Sequence, residues 1–257
     1  MAGLLDLNGK KGLVVGIANA QSIAYGCARL FQAAGAELAV TYHNDKTREQ
    51  VQMLGQELGA PLILPCDVTN ELQVQLLFDA IAQRWGKLDF LLHSIAYAPK
   101  ADLHGRVTDC SKPGFLMAMD ISCHSFMRLA KLAEPLMKNG GSVLTVSYYG
   151  AEKAVKHYNM MGPVKAALES AVRYMAVELG EKNIRVNAIS PGTIMTRAAS
   201  GIADFSDMLA SAVLKAPLHR TVDLGDIGSM AAFLVSDLAK NITGGVHHID
   251  AGYEVVG

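Results

Sequence analysis

Short apolar runs rich in β-branched residues recur along the chain, and between them lie longer stretches whose apolar positions return every three to four residues. A continuous apolar run marks a strand covered on both faces, and the three-to-four spacing marks a helix. Read this way, the chain predicts strands at 12–16, 37–42, 62–66, 90–94, 142–147, 185–190 and 246–250. Helices are predicted at 23–34, 46–58, 71–85, 113–137, 160–179 and 224–235, several closed by glycine. Strands that alternate with helices need crossover connections, which build a parallel sheet with helices on both faces. The expected fold is α/β, a doubly wound seven-stranded parallel sheet. The stretch 196–218 breaks the rhythm, because strand six ends at Ser190 and the next convincing helix begins only near Leu224. Irregular insertions after a strand end often cover a site. No Pro/Gly/Ser-rich linker marks a second unit, so 1–257 is read as a single domain with a helical insertion at about 196–218.

Composition narrows the partners. The 257 residues are 51% hydrophobic and 18% charged, which suffices for a large core, and the net charge of −1 gives no footprint for nucleic acid or an anionic membrane. The few aromatics are not interleaved with basic residues, so base stacking has no support. No basic segment followed by an apolar stretch opens the chain, and no run of about 18 apolar residues occurs, so a cytoplasmic location is expected. Cys27, Cys66, Cys110 and Cys123 form no CxxC pair and have no histidine at metal-ligand spacing, so reduced thiols and no metal are expected. His247 and His248 occupy consecutive strand positions and so point to opposite faces.

In an open parallel sheet, ligands bind beyond the carboxyl ends of the strands. The first such turn, Gly16-Ile17-Ala18-Asn19-Ala20-Gln21-Ser22-Ile23-Ala24, puts small residues where backbone approaches a pyrophosphate at a helix N-terminus. Gly16, Ser22 and Ile23 are the candidates there, with Ser22 expected to cap the helix and to donate to phosphate. A small-residue turn with a capping serine and no ligand is the blander reading. Strand two ends in Tyr42-His43-Asn44. The absence of Arg or Lys directly at this end favours NADH with His43 at the ribose, while His43, Lys46 and Arg48 keep NADPH open.

The segment from Ser147-Tyr148-Tyr149-Gly150 through Tyr158 to Lys165 carries the chemistry. Lys165 follows Tyr158 by seven residues, two turns of a helix, so the two side chains are expected on nearly one helical face. Pro163 stands between them. It is tolerated if the helix starts at about Met160, since the first turn has no intrahelical use for its missing N–H. The alternative is that Tyr148 and Tyr158 are half-buried aromatics and Lys165 a solvated helical residue. His93 is read as a buried hydrogen-bonding residue rather than a general acid.

This Tyr-x6-Lys spacing, with Tyr148 ten residues before Tyr158 and a Gly-x5-Ser-x-Ala turn at Gly16, resembles the enoyl-acyl-carrier-protein reductases, a divergent branch of the Rossmann-type short-chain dehydrogenase/reductase superfamily. Ordinary carbonyl reductases of that superfamily place a tyrosine four residues before the lysine, where this chain has Met161. The resemblance implies hydride transfer from NADH to a trans-2-enoyl thioester carried on acyl carrier protein, in fatty acid biosynthesis. Hydride arriving at the β-carbon leaves negative charge on the thioester oxygen, several bonds away, so the donor must sit displaced from where a carbonyl reductase needs it. The resemblance assigns that donor role to Tyr158, the nicotinamide ribose to Lys165, and a pocket or catalytic role to Tyr148. It further implies cofactor contacts at Asp67, Val68, Ser94, Ile95, Ala96, Ile194 and Thr196. Substrate contacts are implied at Tyr97, Ala98, Leu103, Met161 and Phe205, and the assembly is implied to be a homotetramer. Two other readings stay open, a carbonyl or imine reductase of the same fold, which Met161 argues against, and a non-catalytic NAD(H)-sensing protein.

Overall fold

The computed structural model describes residues 5–194 and 205–256. Strands β1 (Lys11–Val15), β2 (Glu37–Tyr42), β3 (Leu62–Pro65), β4 (Phe90–His93), β5 (Gly141–Val146), β6 (Ile184–Pro191) and β7 (Val246–Ile249) form one parallel sheet in the order β3-β2-β1-β4-β5-β6-β7. All seven expected strands are present, each end within one residue of its expected place. The helices are α1 (Ile23–Ala33), α2 (Asp45–Glu57), α3 (Glu71–Trp85), α4 (Lys100–Leu103), α5 (Lys112–Met119), α6 (Ser125–Ala133), α7 (Met161–Gly180), α8 (Phe205–Lys215) and α9 (Leu224–Val235).

Alternation along each strand divides the apolar residues between two layers. Leu13, Val15, Leu91 and Val143 face α3, α6 and α7, whereas Val14, Phe90, Leu92 and Leu144 face α1, α2 and α9. Phe31 and Phe90 meet edge-on at 4.9 Å in the second layer and are wholly buried. Each such side chain contributes roughly 1.5–3 kcal/mol through burial. The strand order reverses between β1 and β4, both bonded to their own neighbours but leading the chain outward in opposite directions. The crevice at their carboxyl ends is where this architecture takes ligands.

One expected helix, 113–137, is in fact broken. It consists of α5, a π-helical turn over Asp120–His124, α6, and a 3-10 turn over Glu134–Leu136 that contains Pro135. The π turn inserts a residue into the helical repeat, and two serines account for its direction. The Ser122 hydroxyl accepts from the Tyr97 N–H at 2.9 Å and donates to the Tyr97 carbonyl at 3.1 Å, and Ser125 donates to the Ile121 carbonyl at 2.6 Å. Periodicity of apolar residues carries no trace of such serine contacts.

The irregular insertion contains α8, and α7 starts at Met161, so Pro163 lies in the first turn as the helical reading required. No helix among the described residues is long and apolar enough to cross a membrane.

Candidate active site

Gly16 closes β1 with φ of 118°, and a Cβ there would lie 2.1 Å from the Ser94 carbonyl oxygen. Only glycine lets the two strand ends approach this closely, and the Ser94 N–H donates to the Val15 carbonyl at 2.9 Å across the same gap. Ser22 sits at the N-cap of α1 by backbone but does not cap it by side chain, contrary to expectation. Its hydroxyl turns back to accept from the N–H groups of Ala18 and Asn19, each at 3.0 Å. Rigidifying the turn is thus what the serine does, and the first N–H groups of α1, Ile23 among them, keep their anion-binding direction.

Along the outer edge, His43 is exposed, its Nε2 3.7 Å from an Asp67 oxygen. Burial raises the Asp67 pKa, but the Thr69 N–H and hydroxyl and the His43 charge outweigh it and hold the carboxylate below its ordinary value. Val68 is buried, and its carbonyl accepts from Arg128 at 2.8 Å. The Arg48 guanidinium lies over the Tyr42 ring, 5.9 Å from its centroid. After β4, Ile95, Ala98 and Leu103 pack on the α7-side core while Ala96 and Tyr97 are exposed.

Tyr158 is not on a helix, which corrects the expectation of a shared helical face. It occupies a turn ahead of α7, between His157 at φ 66° and Asn159 at φ 51°. The left-handed region is costly for side chains with a Cβ, and here Asn159 offsets the cost by donating to the carbonyls of Gly105 at 3.1 Å and Asp102 at 3.4 Å. The Tyr158 and Tyr148 rings meet at 4.6 Å with an interplanar angle of 58°. Beneath them Gly150 is obligatory, since a Cβ would fall 2.4 Å from the Tyr158 ring. Burial, then Tyr148 and Glu169, raises the Tyr158 phenol above its ordinary pKa of 10.0, so its proton is firmly held. Tyr148 places its hydroxyl 3.5 Å from Thr193, and its own phenol is raised chiefly by burial.

Lys165 is 3% exposed, and its ammonium donates to the Val146 carbonyl at 2.7 Å. Burial lowers its pKa from 10.5 to about 8, against the opposing pull of Cys123 and Glu169. One turn on, the buried Glu169 bonds the Ser147 hydroxyl. Two residues of α7 therefore grip two consecutive residues at the end of β5, immediately before Tyr148. Beside Lys165, burial and the lysine charge push the His93 pKa down to about 3. Ser125 spends its own hydrogen on Ile121, so His93 Nε2 donates to Ser125 at 2.8 Å and Nδ1 meets Thr145 at 2.9 Å. A neutral ring with both nitrogens engaged has no proton to offer.

Sequence reasoning named Ser147 and Gly150 in the chemical segment without giving them a role, and it missed Glu169 and Ser122. Glu169 had one signal, a lone acidic residue four positions after Lys165 on an otherwise apolar helical face. Ile194 packs on the α1-side core, Met161 is buried in the other, and Phe205 opens α8. Thr196 lies outside the described residues. A small pocket between β6 and α8 is lined by Thr193, Leu209, Ala212, Val213 and Arg220. His247 and His248 do face apart, toward Asn187 and Glu152. Atoms of Glu152, His248 and Glu254 able to ligate a metal lie within 4.8 Å of one another.

Residues 16–254 match the family described as enoyl-(acyl carrier protein) reductase. The chain is 49% identical to enoyl-acyl-carrier-protein reductase (NADH) 1 of Rhizobium meliloti (strain 1021), covering 98% of this chain and 92% of that protein. A crystal structure of the reductase from Anaplasma phagocytophilum in complex with NAD superposes with a TM-score of 0.93 at 47% identity, over 98% of this chain and 94% of that one. The Bacillus cereus enzyme, crystallised with NADP+ and an indole naphthyridinone, gives a TM-score of 0.95 at 43% identity, over 98% of each chain.

Proposed function

Because the chain belongs to the enoyl-(acyl carrier protein) reductase family, we propose that it reduces the carbon–carbon double bond of a trans-2-enoyl thioester on acyl carrier protein, using NADH, in fatty acid biosynthesis. The observation that carries this is a firmly protonated Tyr158 seven residues before a buried Lys165, while Met161 occupies the acid position of carbonyl reductases. NADH supplies the hydride when bound. The turn at Gly16, stiffened by Ser22, and the N–H groups opening α1 suit its pyrophosphate. His43 and Asp67 would face the adenosine ribose, and the β2 end itself, Tyr42-His43-Asn44, carries no Lys or Arg. The segments 94–96 and 193–194 would flank the nicotinamide.

Tyr158 donates its hydroxyl hydrogen to the thioester oxygen as negative charge develops there. One such preorganised donor is worth about 10² to 10³ in rate. Lys165 holds the ribose and lends positive potential to the same charge, and Tyr148 orients the Tyr158 ring. Tyr97, Ala98, Leu103 and Met161 line the acyl path. The working form is a homotetramer in the cytoplasm.

The test follows NADH and NADPH oxidation with trans-2-enoyl and 3-ketoacyl thioesters for the wild type and Tyr158→Phe. Enoyl turnover that falls by at least about tenfold in the variant, against a donor value of about 10², with NADH still bound, is expected. Turnover of only the ketoacyl thioester, or NADH binding with no turnover, would overturn the reading.

A further inference from the structure

The turn that follows β3 is tied together almost entirely from within. The Asp67 N–H donates to Gln73 Oε1 at 2.9 Å, and the Thr69 N–H and hydroxyl donate to the Asp67 carboxylate at 2.9 and 2.7 Å. The Asn70 N–H donates to the Asp67 carbonyl at 2.9 Å. Val68 is the exception. Its carbonyl is held from sixty residues further along the chain, by the Arg128 guanidinium of α6 at 2.8 Å, and its N–H has no partner among the described residues. The guanidinium is itself aimed. Asp120, the first residue of the π turn, takes Arg128 Nη2 and His124 Nδ1 on one carboxylate oxygen, each at 3.2 Å. The Arg128 side chain is 26% exposed, so water still relieves its charge while most of its surface is covered.

With the Asp67 carbonyl bonded to Asn70 on one side and the Val68 carbonyl bonded to Arg128 on the other, both peptide planes that flank Val68 are set. The direction of the unused Val68 N–H is set with them, because a peptide unit is planar. Of these two bonds, the one to Asn70 is local and the turn's own residues would form it anyway. The bond to Arg128 is the one that a single distant side chain controls. We propose that Arg128 is a positioning residue for the cofactor, gripping the Val68 carbonyl so that the turn after β3 keeps the shape that receives the adenosine end, without touching the nucleotide. This rests on the reading above that places NADH in the crevice with its adenosine beside Asp67. Without the guanidinium the turn would gain freedom that binding must then remove, and ordering a single backbone residue costs about tenfold in affinity. The loss is confined to the adenosine end, away from Tyr158 and Lys165.

In the experiment NADH and ADP-ribose, which carries the same adenosine diphosphate without the nicotinamide, are titrated onto the wild type, Arg128→Met and Arg128→Lys. The turnover number kcat is read at saturating NADH. Methionine keeps an apolar stem while removing the head group that bonds Val68. Arg128→Met should weaken both ligands by the same factor, about tenfold, and leave kcat within about twofold of the wild type. Arg128→Lys keeps the charge but not the planar fork, so both ligands should weaken by about twofold to fivefold. Unchanged affinity in Arg128→Met, weakening of NADH alone, or a kcat that falls along with affinity would each overturn the assignment. The last outcome would mark a general structural role. Should Arg128→Met not fold, Arg128→Lys decides, with equal losses on both ligands in support and wild-type affinities against. If the wild type binds neither ligand, the cofactor reading fails. If it binds both yet reduces no enoyl thioester, the reduction reading fails, and the two titrations still decide the role of Arg128.

Discussion

The two groups on which the proposed reaction rests are held in place by opposite means. Lys165 stands inside a regular helix, wholly packed, its charge bonded to a strand-end carbonyl and backed by Glu169 one turn away. Tyr158 stands in a turn between two left-handed residues, half-buried, its ring resting over a glycine. Surrounding atoms fix the cation. The missing atom at Gly150 makes room for the phenol. A helix tolerates small changes by sharing them along its hydrogen bonds, whereas a ring seated over a missing Cβ has nowhere to share a clash. Tyr158 is therefore the more fragile of the two although it is the less buried.

Gly150→Ala tests that difference most severely. The new methyl would lie 2.4 Å from a Tyr158 ring carbon, closer than real Cβ contacts come, so the ring must move. A misplacement of about 1 Å at a reacting group costs on the order of 10²-fold in rate. The expected outcome is a loss of that size in kcat with NADH affinity unchanged, measured by steady-state kinetics beside a fluorescence titration of NADH. An unchanged kcat would mean that the turn, not the glycine, sets the ring's place, and the contrast with Lys165 would dissolve.

The same contrast explains what the sequence disclosed. Strand positions, the two-layered core and the first turn after β1 were legible, because apolar periodicity and glycine placement are local signals. Tyr158 and Lys165 were singled out together by their spacing, but the reason offered, a shared helical face, does not hold, since α7 begins only at Met161. Spacing along a chain does not reveal left-handed residues such as His157 and Asn159. The capping role given to Ser22 failed for a related reason, for a serine at an N-cap has two hydrogen-bonding directions and only the folded turn chooses between them. The π turn over Asp120–His124 rests on Ser122 meeting Tyr97, twenty-five residues away in the chain, and no local pattern encodes that.

A second prediction probes the packed half. The folded pKa of Lys165, about 8, lies below its ordinary 10.5. Between these values the unfolded chain holds a proton that the folded chain lacks, so unfolding free energy rises with pH across that window. The cost of burying the ammonium is in full force below pH 8 and is relieved by pH 10.5, a change of about 3 kcal/mol for this one group. Function runs the other way. Losing the ammonium removes a charged hydrogen bond worth about 1.5–3 kcal/mol, so NADH affinity should weaken by about tenfold or more as pH rises through 8. Titrations from pH 6.5 to 9.5 on the wild type and Lys165→Met read this directly, and the variant should show no such limb. Affinity that is flat across pH 8 in the wild type would show that the packing around Lys165 opens to water.

The outer edge of the sheet offers the mildest contrast, a polar contact left in solvent. His43 is 65% exposed by side chain and stands 3.7 Å from Asp67, whose carboxylate is already bonded twice by Thr69. Exposed pairs contribute about 0–1 kcal/mol, because water screens them and long side chains lose entropy on pairing. His43→Ala should therefore weaken NADH by less than about fivefold and leave kcat unchanged. It should not improve NADPH, since it adds no cation for a 2'-phosphate. A loss beyond tenfold would place the imidazole in direct contact with the ribose. In that case water would not set the strength of this pair, and the ordering from buried cation to exposed histidine would need a cause other than burial.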